Sequence, residues 1–195
     1  MKKILTKEEK IKRENRKQII VGIVLILLMI LSTVGYALTS KNEEEIKKIN
    51  YNGIKFKKNG DYWIFNSNGY DFISTYSPIE VENIDTSNIK LYFSEYVNNP
   101  LYFVTDYNQP DQEISRNFDR VVLRIRNACI NSSNCTEDLP IKSCSEDNII
   151  IFREPIGNES ERIYQEKKCV FVVSKRENQI MYSDALLFKI LGIKN

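Results

Sequence analysis

The first 38 residues contain two contrasting patterns of polar and hydrophobic positions. Residues 1–18 are predominantly polar, and residues 19–38 follow as 20 positions without a charged side chain. A helix of that length rises about 30 Å, which matches the hydrocarbon core of a bilayer. The pattern predicts a transmembrane helix that is retained as a signal anchor, so the lipid bilayer is the first expected partner.

The charges beside this segment predict its orientation. Residues 1–18 carry eight Lys and Arg residues against three Glu residues, and a basic flank stays on the cytoplasmic side of a membrane. The N-terminus is therefore expected in the cytoplasm as a basic tail, with the chain from residue 39 onward outside the cell membrane.

A cleaved signal peptide is the alternative interpretation of the apolar segment. Residues 19–31 would then form its hydrophobic region, and Gly35-Tyr36-Ala37 would provide its cleavage site. We favour the retained anchor because the apolar stretch reaches full spanning length. Both interpretations export the rest of the chain.

The exported part begins with a polar stretch and continues with a strand-like pattern. Residues 39–52 are interpreted as a polar stalk, which leaves residues 53–195 as an extracytoplasmic domain. Hydrophobic and polar positions then alternate with the period of a β-strand. Asn59-Gly60 and Asn68-Gly69 interrupt the alternation with the residues preferred in two-residue hairpin turns. The pattern predicts a three-stranded β-meander over residues 53–74.

Later segments alternate between extended and helical patterns. Apolar positions spaced three and four residues apart predict helices at 111–128 and 181–193, with Gly192 ending the second helix. Short apolar runs predict strands at 78–84, 88–96, 101–106, 148–152, 161–165 and 169–173. The predicted fold class is α+β, in which a β-meander and a mainly antiparallel sheet carry two packed helices. The pattern leaves the strand order open.

Charge and composition exclude several classes of function. Of the 28 basic and 26 acidic residues, residues 1–18 hold eight and three, so the exported part carries 20 basic and 23 acidic residues. A mildly acidic domain does not favour a nucleic-acid partner. The chain has no histidine, which excludes Ser–His and Cys–His nucleophiles and removes the commonest metal ligand. We therefore assign no catalytic residue, no metal site and no cofactor.

The four cysteines, Cys129, Cys135, Cys144 and Cys169, have the spacing C-x5-C-x8-C-x24-C. This spacing fits neither the closely paired cysteines of a structural zinc site nor the C-x-x-C redox motif. An even number of cysteines in an exported domain predicts two disulfide bonds. Of the three pairings, we favour Cys129–Cys135, which would staple the end of the predicted helix to its own loop. The second bond would then be Cys144–Cys169, which would join the residues before two neighbouring strands.

Three asparagines of the exported part are candidate modification sites. Asn131, Asn134 and Asn158 each begin an Asn-x-Ser/Thr sequon, and a carbohydrate chain on such a residue is expected in a surface loop.

Three arginines form a candidate interaction face. Arg116, Arg120 and Arg124 recur every four residues along the predicted helix, and residues four apart lie on the same helix face. Such a face could bind anionic headgroups or the carboxylates of a partner. A solvated helix surface is the alternative interpretation.

The predicted meander is rich in aromatic side chains. These residues are Tyr51, Tyr62, Trp63, Tyr70 and Tyr76. Exposed aromatic rings suit glycan or protein binding, whereas buried ones would pack on both faces of the sheet.

Taken together, three sequence stretches resemble a known group of proteins. They are KRENRKQIIVGIVLILLMILSTVGYAL, GIKFKKNGDYWIF and the terminal DALLFKILGI. The set resembles small, uncharacterised membrane-anchored proteins encoded by minimal archaeal genomes, and the high content of Ile, Lys and Asn fits such an AT-rich source. The resemblance implies an archaeal membrane protein of the same topology, and it implies no activity.

The sequence favours a non-enzymatic binding or assembly module at the cell surface, with an unidentified protein or glycan partner. One alternative is an extracytoplasmic hydrolase that cleaves glycans with paired carboxylates, and another is an accessory subunit of a membrane complex. Two carboxyl groups about 5–10 Å apart in a deep pocket would favour the hydrolase. A sheet face with exposed aromatic side chains would favour binding.

Overall fold

The computed structural model describes residues 7–39, 47–105, 109–130, 135 and 138–194. The chain divides into two compact units, residues 1–45 and residues 46–195.

The first unit contains the helix α1 (Lys7–Thr39). Its section Arg13–Thr33 is long and apolar enough to cross a membrane. The described side chains of that section are not buried within the protein, which distinguishes it from the core helix of a globular domain. The structure thus contains the apolar helix that the sequence predicted, as a candidate membrane span.

The second unit begins with a four-stranded antiparallel sheet in the order β1-β2-β3-β4. Its strands are β1 (Lys48–Tyr51), β2 (Ile54–Asn59), β3 (Tyr62–Ser67) and β4 (Tyr70–Ser74). Asn52 and Gly53 connect β1 to β2 with φ values of 48° and 82°, the left-handed conformation that a tight hairpin of this kind requires. The meander therefore has one strand more than predicted, because residues 48–51 of the predicted stalk pair with β2.

The second sheet has five strands in the order β6-β5-β7-β9-β8. They are β5 (Pro100–Val104), β6 (Arg124–Asn127), β7 (Asn148–Arg153), β8 (Arg162–Glu166) and β9 (Cys169–Val173). The pairings among β6, β5, β7 and β9 are parallel, and β8 runs antiparallel to β9. The α+β fold class is confirmed, but this sheet is mixed and mostly parallel rather than mainly antiparallel as predicted, because the segments between its parallel strands return the chain to the same end of the sheet.

The helix predicted at 111–128 is wrong in its second half. The helix α2 (Gln109–Phe118) ends at Phe118, and residues 119–123 connect it to β6. The backbone then runs beside the residues that lead into β5. The Asn98 N–H donates to the Val121 carbonyl at 2.9 Å, and the Leu123 N–H donates to the Asn99 carbonyl at 3.1 Å. Pairing with a buried strand overrides the helical spacing of the apolar residues.

The strands predicted at 78–84 and 88–96 are also wrong, since these segments form turns and a short 3₁₀ helix. Side chains supply the partners that a neighbouring strand would have offered. The Lys194 ammonium donates to the carbonyls of Val81, at 2.6 Å, and Ile84. The side-chain oxygen of Gln165 accepts from the backbone of Lys90 at 2.6 Å. Alternating burial therefore occurs here without a β-ladder.

The larger of two hydrophobic clusters among the described residues joins both sheets and two helices of the second unit. The helix α3 (Gln179–Ile190) contacts α2 and β9, and α2 contacts β4. Phe188 of α3 places its ring 5.6 Å from that of Phe65, measured between centroids. As predicted, Gly192 terminates α3 just beyond its last helical residue. There the Ile193 N–H donates to the Phe188 carbonyl at 2.8 Å in a Schellman arrangement. The core consequently fixes α2 and α3 beside the edge of β4.

The two predicted disulfide bonds, Cys129–Cys135 and Cys144–Cys169, are both present. Cys129 lies just after β6 rather than at the end of a helix, because α2 is shorter than predicted. Cys169 is the first residue of β9 and is fully buried. Its bond to Cys144 holds the segment before β7 against the start of the adjacent parallel strand.

Loss of the Cys144–Cys169 bond should destabilise the second unit more than loss of the Cys129–Cys135 bond. Their sequence separations are 25 and 6 residues, and the longer loop restricts the unfolded chain more. We expect Cys144→Ser to lower the free energy of unfolding by about 2–4 kcal/mol and Cys135→Ser by less. Urea unfolding of the full chain under non-reducing conditions measures both, and equal losses would contradict the expectation.

Candidate functional site

The edge of β4 that does not pair with β3 is completed by side chains from helices. Asn117 of α2 accepts a hydrogen bond from the Ile73 N–H and donates to the Ile73 carbonyl, both at 2.7 Å. The Asn117 side chain thus forms the two hydrogen bonds that the backbone of a neighbouring strand would form with Ile73. It also donates to the carbonyl of Glu113, one turn earlier in α2, at 2.8 Å.

Beyond the end of β4, two carboxyl groups bind the backbone of Thr75 and Tyr76. Asp184 of α3 accepts through Oδ2 from the Thr75 N–H at 3.0 Å and from the Tyr76 N–H at 2.8 Å. Glu113 of α2 accepts through Oε1 from the Thr75 N–H and from the Thr75 hydroxyl, both at 3.1 Å. A residue from each helix therefore converges on one turn of the chain.

Asp184 and Glu113 accept hydrogen bonds from the same Thr75 N–H. Burial raises the pKa of the Asp184 carboxyl well above its usual range, and the neighbouring Glu113 carboxylate raises it further. Asp184 Oδ1 is buried and has no donor among the described residues. A proton on Oδ1 would turn it into a donor to Glu113, so the raised pKa of Asp184 favours a pair that shares one negative charge.

Arg116 balances that charge and connects the buried pair to the surface. Its Nη2 forms an ion pair with Glu113 Oε1, and its guanidinium lies 4.7 Å from the ring centroid of Tyr62 on β3. These residues open into a cleft of about 490 Å³, lined by Tyr62, Gln112, Glu113, Arg116 and Ile180. We refer to it as the Tyr62–Arg116 cleft.

The geometry of the carboxyl pair does not fit two-carboxylate glycoside hydrolysis. That chemistry needs carboxyl groups separated by roughly 5–9.5 Å, so that a sugar or a water molecule fits between them. Here both groups bind the same Thr75 N–H, and Asp184 is fully buried with Oδ2 occupied by two backbone donors. The pair therefore supports the fold and holds Arg116.

The three predicted arginines do not form one helical face. Arg116 lies on α2, Arg120 is exposed in the following turn and Arg124 is on β6. Arg124 donates to the Tyr102 hydroxyl at 2.8 Å. Of the predicted interaction residues, Arg116 is thus the one that lies in the cleft.

The other predicted site residues are spread over the second unit. Asn158 is exposed in the loop between β7 and β8, whereas Asn131 and Asn134 lie outside the described residues. Among the meander aromatics, Trp63 is buried, while Tyr62 and Tyr70 are exposed by 44% and 38%. The meander is therefore aromatic on both faces, and Tyr62 joins the cleft.

The sequence reasoning missed Asp184. Its signal is an acidic residue within the predicted apolar face of the last helix, between Ser183 and Ala185. A charged residue at a core position needs a partner, and Glu113 and the Thr75–Tyr76 backbone provide it in the structure.

Comparison with family models, with curated proteins and with solved structures finds no match. The interpretation of the Tyr62–Arg116 cleft accordingly rests on its own geometry.

Substitution of Asp184 tests the shared proton. In Asp184→Asn the side-chain oxygen still accepts from Thr75 and Tyr76, and the new amide group donates to Glu113. We expect this variant to be at least as stable as the wild type at neutral pH, because Asn keeps these hydrogen bonds and has no carboxyl group whose pKa must shift on folding. Asp184→Ala should cost about 1–3 kcal/mol for each backbone N–H that it leaves unsatisfied. Urea unfolding of the full chain measures both variants.

The pH dependence of the same variants follows from the raised pKa. The folded state holds the Asp184 proton more tightly than the unfolded chain, where the pKa is about 3.9. The contribution of the protonated Asp184 to stability is complete below pH about 3.9. It is lost as the pH rises through the higher pKa that Asp184 has in the folded state. The stability of the wild type relative to D184N should fall by up to about 1.4 kcal/mol per pH unit in this window. If the difference in unfolding free energy between the wild type and D184N does not vary with pH, folding does not raise the pKa of Asp184.

Proposed function

We propose that the chain is a single-pass membrane protein whose second unit acts outside the cell membrane as a non-enzymatic binding or assembly module. The apolar section of α1 supports the anchor, and the basic residues before it support a cytoplasmic N-terminus. Two disulfide bonds favour an oxidising compartment for the second unit.

The fixed position of Arg116 carries the proposal of a binding role. The ion pair with Glu113 and the ring of Tyr62 hold its guanidinium, and 30% of the side chain stays exposed in the cleft. A polar group ordered in advance loses less conformational entropy when a ligand binds. The adjacent carboxyl pair is committed to the turn after β4, which favours recognition over catalysis at this cleft.

Protease treatment of intact cells tests the topology. We expect added protease to digest the second unit and to leave a small protected N-terminal fragment, because only the basic tail is inside. The protein should also stay in the membrane fraction at full mass after a carbonate wash. Complete protection of the second unit would contradict the orientation, and a mature N-terminus at Leu38 or later would establish a cleaved signal peptide.

Affinity purification of the detergent-solubilised full chain from native membranes tests the binding role. A partner should co-purify with the wild type and with Asp184→Asn, which keeps the hydrogen-bond acceptor at the turn. Tyr62→Leu should reduce its recovery, because this exchange removes the ring that holds Arg116. Tyr92→Leu is the matched control, since Tyr92 is 57% exposed and does not line the cleft. Absence of any partner of the wild type would contradict the proposal.

A further inference from the structure

The polar groups of the Tyr62–Arg116 cleft are held in place by buried contacts. Glu113 is 5% exposed, and its Oε1 binds the Thr75 N–H, the Thr75 hydroxyl and Arg116. Both helices and β3 contribute to the lining, through Gln112, Ile180 and Tyr62. The site therefore exists before a ligand arrives, and its volume lies within the roughly 300–1,000 Å³ of small-ligand sites.

The lining offers both donors and acceptors to a ligand. The Arg116 hydrogen bonds to described residues use Nη2, and the guanidinium carries further N–H donors on Nε and Nη1. The exposed amide of Gln112 can donate and accept. A ligand with hydroxyl groups on adjacent carbon atoms suits such planar side chains, because each hydroxyl group is both a donor and an acceptor. Tyr62 and Ile180 add apolar surface for the C–H groups between those hydroxyls.

The charge of the cleft indicates a neutral ligand. Among the described residues, Arg116 and Glu113 are the charged residues of the lining, and they form an ion pair. The pair therefore contributes one charge of each sign. An anionic ligand would meet the Glu113 carboxylate, and a cationic ligand would meet the Arg116 guanidinium.

A second cleft, beside Tyr164, lacks comparable features. The Phe171 ring lies parallel to that of Tyr164, with centroids 4.7 Å apart, and the Arg162 guanidinium lies 5.0 Å from the Tyr164 centroid. Two neighbouring side chains thus already pack against the Tyr164 ring. Its other lining residues, Asn88, Lys90, Gln165 and Lys167, provide no buried carboxylate to hold a hydroxyl group.

We propose that the Tyr62–Arg116 cleft binds a neutral saccharide unit of a cell-surface glycan. Arg116 and Gln112 hydrogen-bond to its hydroxyl groups, and Tyr62 and Ile180 contact its apolar face. This inference rests on the proposed binding function and names the ligand class of the same cleft.

Binding of oligosaccharides to the full chain tests this inference. The protein is placed in nanodiscs of zwitterionic lipid without glycolipid. It is then titrated with neutral tetrasaccharides of glucose, N-acetylglucosamine, mannose and galactose. Oligogalacturonate and its methyl ester form a matched pair of anionic and neutral probes on one backbone. We expect at least one neutral probe to bind, and the methyl ester to bind no more weakly than the free acid.

Two exposed positions of the cleft give variants that should fold normally. Tyr62→Leu should weaken saccharide binding about fivefold, and Gln112→Ala about threefold or more. Tyr92→Leu should leave the affinity unchanged. The inference is overturned if the panel gives no neutral ligand, if only oligogalacturonate binds, or if Tyr62→Leu binds as the wild type does.

The outcomes separate the ligand class from the binding role itself. A protein partner that is retained from native membranes, together with no saccharide binding, would overturn the ligand class and leave the proposed function intact. Cleavage of a bound oligosaccharide, detected by chromatography of the same mixtures, would overturn the non-enzymatic function. Recovery of neither a partner nor a saccharide would overturn both.

Discussion

The second unit depends on the completion of one sheet edge by side chains of two helices. An edge strand leaves backbone N–H and C=O groups without partners. Asn117 satisfies those of Ile73, and Glu113 and Asp184 satisfy the N–H groups that follow β4. Hydrogen bonds are directional, so they fix α2 and α3 against the sheet more narrowly than apolar packing alone.

The same contacts produce the surface that we interpret as a recognition site. Asp184 is buried because it serves the turn after β4, and its pKa is raised by that burial and by Glu113, which serves the same turn. The Glu113 carboxylate in turn holds Arg116 beside the Tyr62 ring. One cluster therefore stabilises the fold on its inner side and presents ordered donors and acceptors on its outer side.

Local patterns in the sequence predicted the β2–β3 and β3–β4 hairpins, the strands β5, β7, β8 and β9, the end of α3 and both disulfide bonds. Each of these depends on short spacing rules or on an even number of cysteines. The segment 121–127, which includes β6, was assigned to a helix because the spacing of Val121, Val122 and Ile125 fits a helix as well as an extended chain. Only pairing with β5 decides between the two conformations. Asp184 was missed because its partner Thr75 lies 109 residues earlier in the chain. Strand direction likewise depends on distant pairings that no local pattern contains.

The separation of Asp184 and Thr75 along the chain also constrains the order of events during synthesis. Synthesis from the N-terminus completes the meander long before it completes α3. Until those last residues arrive, the amides of Thr75 and Tyr76 and the apolar residues that face Phe188 have no permanent partners. Contacts between such distant segments form late and slowly. The free edge of β4 therefore stays without these partners until α3 has been made, and a truncation that removes α3 should leave an exposed sheet edge, which favours aggregation.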